Sequence, residues 1–519
     1  MTTVATSKLP PALAVTLTDR LERMRDERVV MRVWEHDHTV WQEDPTEVSN
    51  RLGWLDAPTT SQGDVARLQQ FAKDVAAEGF ERAVLLGMGG SSLTGEVLFE
   101  TFGRAPGALE VIALDATDPA QVAAIEAGGD LAKTLFIVAS KSGGTIETLS
   151  HCNYFWSRTP RGAQFVAITD PGSGLEKLAT ERGFREIFHS PEDVGGRYSA
   201  LTFFGLVPAA LAGVDLEALL ASARVMADAC RNPDPTSNPG AWLGAVLGEA
   251  ALLGQDQLTF VLPTDLMALG PWFEQLLAES TGKAGMGILP VEGEPLGAPE
   301  VYGPSRIFAA RGAAARDSRL DALERAGHPV LRLPEASATD IGGEFFRWEF
   351  ATAIAGHVLG LNPFDQPDVQ AAKDATNRAL TSSGAGSEGG ADLRSARVLV
   401  DSAQAGDYLA ILAFVPRTPE IDARLQRVRV ALRDRLHVAT TIGYGPRYLH
   451  STGQLHKGGP ANGIFIEVVG DDPHDLDIPG TAMSFGRLKH AQARGDLETL
   501  VARGRRVARA SLEELEALA

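Results

Sequence analysis

Between residues 83 and 188 short apolar runs alternate with helix-length segments, and this alternation constrains the fold more than any other feature of the chain. Ala83–Val84–Leu85–Leu86, Leu109–Glu110–Val111–Ile112–Ala113–Leu114, Leu135–Phe136–Ile137–Val138–Ala139 and Gln164–Phe165–Val166–Ala167–Ile168 read as strands, with Glu186–Ile187–Phe188 as a fifth. Strands joined through helices imply βαβ units and a parallel sheet covered on both faces. Such sheets bind ligands beyond the carboxyl ends of their strands.

Two turns sit at such ends. Ser140–Lys141–Ser142–Gly143–Gly144–Thr145–Ile146–Glu147–Thr148 joins the third strand to a helix over residues 147–156. Its glycines let the backbone approach a ligand closely. Ser140, Ser142 and Thr145 offer hydroxyls, and the helix start offers unpaired N–H groups. Such a turn suits an anion, most often a phosphate; alone, it reads equally as a strand-to-helix turn capped by Ser and Thr. Neither the Walker order nor the dinucleotide fingerprint is present in it. Gly87–Met88–Gly89–Gly90–Ser91–Ser92 is a second such turn on a neighbouring crossover, and the pair favours phosphate.

A second alternation follows residues 235–239. It has a helix over 241–253, strands over 258–262, 306–309 and 330–333, a helix over 269–279 and a long apolar helix over 343–359. Residues 381–390 are a Gly/Ser-rich linker. Beyond it strands are expected over 408–415, 438–442 and 463–469, with helices over 420–436 and 488–519, as a small α+β unit. Before the first alternation residues 13–40 read as helical. The resulting boundaries are an N-terminal helical segment over 1–56, domains over 57–234 and 235–380, and a C-terminal segment over 391–519.

A formal net charge of -19 argues against nonspecific binding to nucleic acid or to an anionic membrane. An anionic substrate therefore needs a local pocket of donors. Cys152 and Cys230 are expected to be reduced, in a cytoplasmic protein. No secretory signal or membrane span is expected.

Several residues can carry chemistry. Glu279 ends an apolar helix and precedes Ser280–Thr281–Gly282–Lys283, so it can serve as a general base or simply end that helix in solvent. Gln275 shares its helix face. Arg197, after Gly195–Gly196, can hold a developing oxyanion or form an ordinary ion pair. Lys373, beyond Asn362–Pro363–Phe364–Asp365–Gln366–Pro367, can contact substrate oxygens or stand in solvent. His450 and His456 lie in a polar run whose spacing matches no zinc pattern, and no metal site is expected. His357 reads as a packed core histidine and His328 as a loop residue.

Together these stretches resemble the glucose-6-phosphate isomerase (phosphoglucose isomerase) family. The matching motifs are Gly87–Met88–Gly89–Gly90–Ser91, residues 140–148, Gly195–Gly196–Arg197–Tyr198–Ser199, Glu279–Ser280–Thr281–Gly282–Lys283, and residues 362–367 with Lys373, in the family's order. The third segment, with residues 448–460, is similar to the isomerase half of transaldolase–isomerase fusions. The resemblance implies an α/β fold of two sugar-isomerase domains, each a flavodoxin-like doubly wound parallel sheet, plus the small C-terminal α+β segment. It implies exchange of glucose 6-phosphate and fructose 6-phosphate through a cis-enediol, without a cofactor, in a homodimer. Gly90, Ser91, Ser140, Ser142 and Thr145 would bind the phosphate, with Lys141 close by. Arg197 would steady the enediolate and Glu279 would carry the proton between C2 and C1. Gln275, Gln366 and Lys373 would line the sugar site.

One part departs from the family pattern. The family's ring-opening histidine belongs between the base motif and the lysine motif, and residues 302–311 contain no histidine. His328, either of His450 and His456, or a partner subunit can fill the role; the 448–460 run is favoured. Rival functions are a broader isomerase that also takes mannose 6-phosphate, and a non-catalytic sugar-phosphate-binding regulator. Retention of Glu279, Arg197 and Lys373 together weighs against the regulator.

Overall fold

The computed structural model describes residues 8–334, 337–368 and 393–519. Three parallel sheets organise them. The first contains β1 (Arg82–Leu86), β2 (Glu110–Leu114), β3 (Thr134–Ala139), β4 (Phe165–Thr169) and β5 (Glu186–His189), in the order β2-β1-β3-β4-β5. β1, β3 and β4 are buried throughout, which is why residues 83–86, 135–139 and 165–168 are continuous apolar runs. Helices α1 (Gly90–Phe102) and α2 (Ile146–Arg158) leave β1 and β3. The strand order reverses between β1 and β3, the point where open α/β sheets bind ligands. Leu86 is in register with Val138, so the turns after these two strands start side by side.

The second sheet repeats the plan with β6 (Gln257–Val261), β7 (Leu289–Val291), β8 (Arg306–Ala310) and β9 (Val330–Arg332), in the order β7-β6-β8-β9. The edge strand β7 is missing from the sequence reading because it is three residues long with Pro290 at its centre. Helix α3 (Leu269–Thr281) follows β6 and is buried along most of its length. Helix α4 (Ile341–Leu359) packs against helix Pro239–Leu252, where a Cβ on Gly244 would lie 2.3 Å from the Ala351 carbonyl oxygen.

The C-terminal segment differs from the expected α+β unit. β10 (Tyr408–Phe414), β11 (Ala439–Tyr444), β12 (Gly463–Val469) and β13 (Arg506–Ala510) form a fully parallel sheet in the order β11-β10-β12-β13. Its crossovers include α5 (Pro419–Leu436) and α6 (Phe485–Ala502). β13 replaces part of the long terminal helix read from the sequence. Its two arginines conceal a strand, since Arg506 pairs with Asp407 and Arg509 with Glu467 of β12. The N-terminal helix also divides, into Pro11–Asp26 and Val29–Trp34, because Arg28 turns left-handed at φ 57°. The linker over 381–390 lies outside the described residues.

Candidate active site

The site is assembled where the first two sheets meet the third unit. After β1 the chain turns through Gly89, whose φ of 56° favours glycine. A Cβ there would lie 2.8 Å from Gln275 Nε2 and 2.9 Å from the His450 carbonyl oxygen. At Gly90 a Cβ would lie 2.0 Å from the Gly196 carbonyl oxygen. The turn bearing Ser91 is thus pressed against the Arg197 loop, α3 and the third unit at once.

The turn after β3 has its own lattice. Ser140 Oγ and Thr145 Oγ1 lie 2.9 Å apart, and the Gly143 amide donates to Ser140 Oγ at 3.2 Å. The Gly144 amide donates to Ser142 Oγ at 3.4 Å. Thr145 sits at the N-cap of α2 without a side-chain cap bond, leaving the helix's first N–H groups to a ligand. Lys141 turns aside: its Nζ donates to Asp170 Oδ1 at 2.9 Å and to the Pro191 and Glu192 carbonyls at 3.0 and 3.3 Å. It is tied to the β4–β5 side of the turn.

Glu279 and Arg197 face each other. Arg197 Nη1 stands 3.7 Å from Glu279 Oε1, and both side chains are buried. The guanidinium is fixed in place: Nε donates to Ser280 Oγ at 2.8 Å, Nη2 to the Pro363 and Asp365 carbonyls at 2.6 and 2.9 Å, and Nη1 to Gln366 Oε1 at 3.4 Å. Gln275, one turn before Glu279 on α3, donates Nε2 to Glu279 Oε2 at 3.0 Å and to the His450 carbonyl at 2.9 Å. Among the described residues Gln275 Oε1 is buried without a protein partner.

The two histidines of the 448–460 run have different fates. His450 brings Nε2 to 3.0 Å from Glu147 Oε1. The same carboxylate oxygen accepts Gln492 Nε2 of α6 at 2.6 Å, and Gln492 accepts from Thr117 at 2.7 Å. Burial pushes the Glu147 carboxyl up, but the charge and hydrogen bond of His450 outweigh it and hold the group below its ordinary value. His456 is instead a core residue. Its ring lies 5.0 Å from that of Phe465 and 6.0 Å from that of Tyr448, and burial drives its pKa well below the ordinary 6.5. His328 likewise packs against Phe308 and Tyr302, at 5.7 and 6.2 Å. Residues 302–311 run through β8 without a histidine. Lys373 lies outside the described residues.

Two supporting residues have no role in the sequence reading. Lys283 donates Nζ to the Asn362 and Asp365 carbonyls at 2.7 Å and to Asp365 Oδ1 at 2.6 Å, steadying the turn that cradles Arg197. Burial, then the charge of Arg197, hold its pKa down to about 8 against the pull of Asp365. Glu147 lies inside the 140–148 motif, but its partner is 303 positions away, beyond any local spacing rule. Among the described residues no three His, Cys, Asp or Glu side chains gather as a metal site.

A flavodoxin-like strand order repeated in two sheets, with hydroxyl-rich turns beside a buried carboxylate and guanidinium, defines a protein of the sugar-isomerase class. Residues 66–287 match the family model described as Phosphoglucose isomerase. A glucose-6-phosphate isomerase of Symbiobacterium thermophilum is 30% identical over 388 residues, covering 62% of this chain and 85% of that protein. One from Thermus thermophilus is 30% identical over 392 residues, covering 64% and 91%. The crystal structure of a glucose-6-phosphate isomerase from Chlamydia trachomatis shares the fold at a TM-score of 0.60 and 19% identity, covering 72% of this chain and 87% of that one. The chain belongs to the glucose-6-phosphate isomerase family.

Proposed function

We propose that the protein interconverts glucose 6-phosphate and fructose 6-phosphate, a step of glycolysis and gluconeogenesis, by moving a proton between C2 and C1. The proton on carbon beside a carbonyl is weakly acidic, so its removal needs a positioned base. Glu279 takes it from C2 of the aldose and returns it to C1. Negative charge gathers on the enediolate oxygens, and Arg197 stabilises it from a fixed position. Gln275 and Gln366 bind sugar hydroxyls, with Lys373 beside them by resemblance. Ser91, Ser140, Ser142, Thr145 and the start of α2 hold the phosphate. Binding energy from that remote group aligns the reacting carbons.

Hexose phosphates are mostly cyclic, so the ring must open first. His450 does this: Glu147 orients its Nε2, leaving Nδ1 to give a proton to the ring oxygen as the C1–O5 bond breaks, while the C1 hydroxyl gives its proton to solvent water and becomes the carbonyl. The third unit thereby supplies the histidine that residues 302–311 lack.

The linkage of Glu279 to Arg197 and Gln275, with Gln275 and His450 set against the turn at Gly89, is the observation that supports this reading. The test couples fructose 6-phosphate conversion to a glucose 6-phosphate readout. Wild-type protein is expected to be active and Glu279→Gln slower by about 10²–10⁴-fold; an inactive wild type overturns the proposal. We further propose a homodimer working in the cytoplasm. That reading rests on the resemblance to the family, and sedimentation of the purified protein checks the dimer.

A further inference from the structure

We propose that Arg447 is a positioning residue for ring opening, a clamp that sets His450 against the first sheet; the inference rests on the function proposed above. Residues Arg447–His450 form a single 3-10 turn, in which side chains three positions apart project on the same side. Arg447 and His450 are such a pair. The Arg447 guanidinium reaches out of the third unit into the first. Its Nη2 lies 2.8 Å from Glu96 Oε2 on α1, and its Nη1 lies 3.0 Å from Asp115 Oδ2 beyond β2. Asp115 Oδ2 also accepts Ser92 Oγ at 3.3 Å, beside the turn that carries Ser91. All three charged side chains are largely buried, at 13%, 19% and 12% exposure, so bulk water does little to weaken the pairing.

The far end of the turn is fixed separately. The His450 carbonyl accepts from Gln275, and Ser451 Oγ donates to Glu274 Oε1 at 3.0 Å on α3. One end of the turn is thus tied to the first sheet's phosphate side and the other to the helix of the base. Glu147 holds the imidazole itself at 3.0 Å, while the Arg447 fork holds the turn that carries it. A guanidinium suits this task because its fork spans two carboxylates at once. A displacement of about 1 Å at a reacting group can cost about 10²-fold in rate.

Interconversion of the α and β anomers of glucose 6-phosphate needs only ring opening and closing, so exchange NMR reads that step alone. The wild type is expected to exchange anomers faster than buffer, and Glu279→Gln to keep that exchange while losing isomerisation. Arg447→Ala is expected to slow exchange about 10²-fold, with KM for fructose 6-phosphate changed less than about 3-fold. Arg447→Lys should fall between. If Arg447 acts through His450, Arg447→Ala combined with His450→Ala is no slower than His450→Ala alone. An unchanged exchange rate in Arg447→Ala, or additive losses in the double variant, overturns the clamp. Should Arg447→Ala fail to fold, Asp115→Asn is held to the same criteria. A wild type without isomerisation or anomer exchange overturns the proposed function, and the clamp with it. An active wild type with an indifferent Arg447→Ala overturns the clamp alone.

Discussion

His450 of the third unit meets Glu147 of the first at 3.0 Å, across 303 positions of sequence. The contact joins the turn that holds an anion to the histidine proposed to open the sugar ring. Because Glu147 lies in the first turn of α2, the phosphate end and the ring end of a substrate are gauged from one helix terminus.

Replacing Glu147 by Gln keeps the shape and removes the charge that orients His450. A fall in kcat of about 10²-fold is expected on fructose 6-phosphate, read in the coupled assay. Stability should respond as well. The folded-state pKa of Glu147 lies below its ordinary 4.5, so its contribution is present above that pH and is lost as pH falls through the folded value. Thermal melts of Glu147→Gln below about pH 4.5 should therefore lose less stability than those of the wild type.

His456 should also cost stability as pH falls, but in a higher pH window and with no bearing on catalysis. Buried neutral among Tyr408, Tyr448 and Phe465, it titrates in the unfolded chain near 6.5 but only well below that in the fold. Below 6.5 the unfolded state binds the extra proton, so stability is lost as pH falls. His456→Phe is expected to remove up to about 1.4 kcal/mol per pH unit of that slope while retaining catalysis. Denaturant melts at pH 5 and 7 measure it. Loss of anomer exchange in this variant would contradict the assignment of His456 to the core.

Lys283 links alkaline pH to the Arg197 cradle. With its pKa held to about 8, its ammonium is lost above that pH, and the Asn362 and Asp365 carbonyls lose their charged donor. A fall in kcat above about pH 8 is expected. Asp365 raises the Lys283 pKa, so Asp365→Asn should move this limb to lower pH. The pH profiles of both proteins check the direction.

The phosphate turn should act on binding. Ser140→Ala or Thr145→Ala removes a hydroxyl from the lattice at the start of α2. Hydrogen bonds to charged groups contribute about 1.5–3 kcal/mol, so each variant should raise KM by at least about 10-fold. Initial rates against fructose 6-phosphate concentration give the result, and an unchanged KM for both would place the phosphate elsewhere.

The first sheet was legible because β1, β3 and β4 are wholly buried and therefore apolar over residues 83–86, 135–139 and 165–168. The helix pair Gln275 and Glu279 was legible because a four-residue spacing sets one face. Long-range pairing hid the rest. Arg506 and Arg509 look like solvent residues until Asp407 and Glu467 are seen opposite them. His450 and His456 share one polar run, and only the tertiary contacts separate a residue facing Glu147 from one enclosed by aromatic rings. Lys141 sits inside the phosphate motif, yet Asp170 draws it to the other side.

The most direct test of the account follows the proton itself. Fructose 6-phosphate is incubated in deuterium oxide with wild-type protein and with Glu279→Gln, and the glucose 6-phosphate formed is examined by NMR at C2. The expected result is product carrying solvent deuterium at C2 with the wild type, and a rate lower by about 10²–10⁴-fold with Glu279→Gln. Conversion by Glu279→Gln at the wild-type rate, or no conversion by the wild type, would contradict the account.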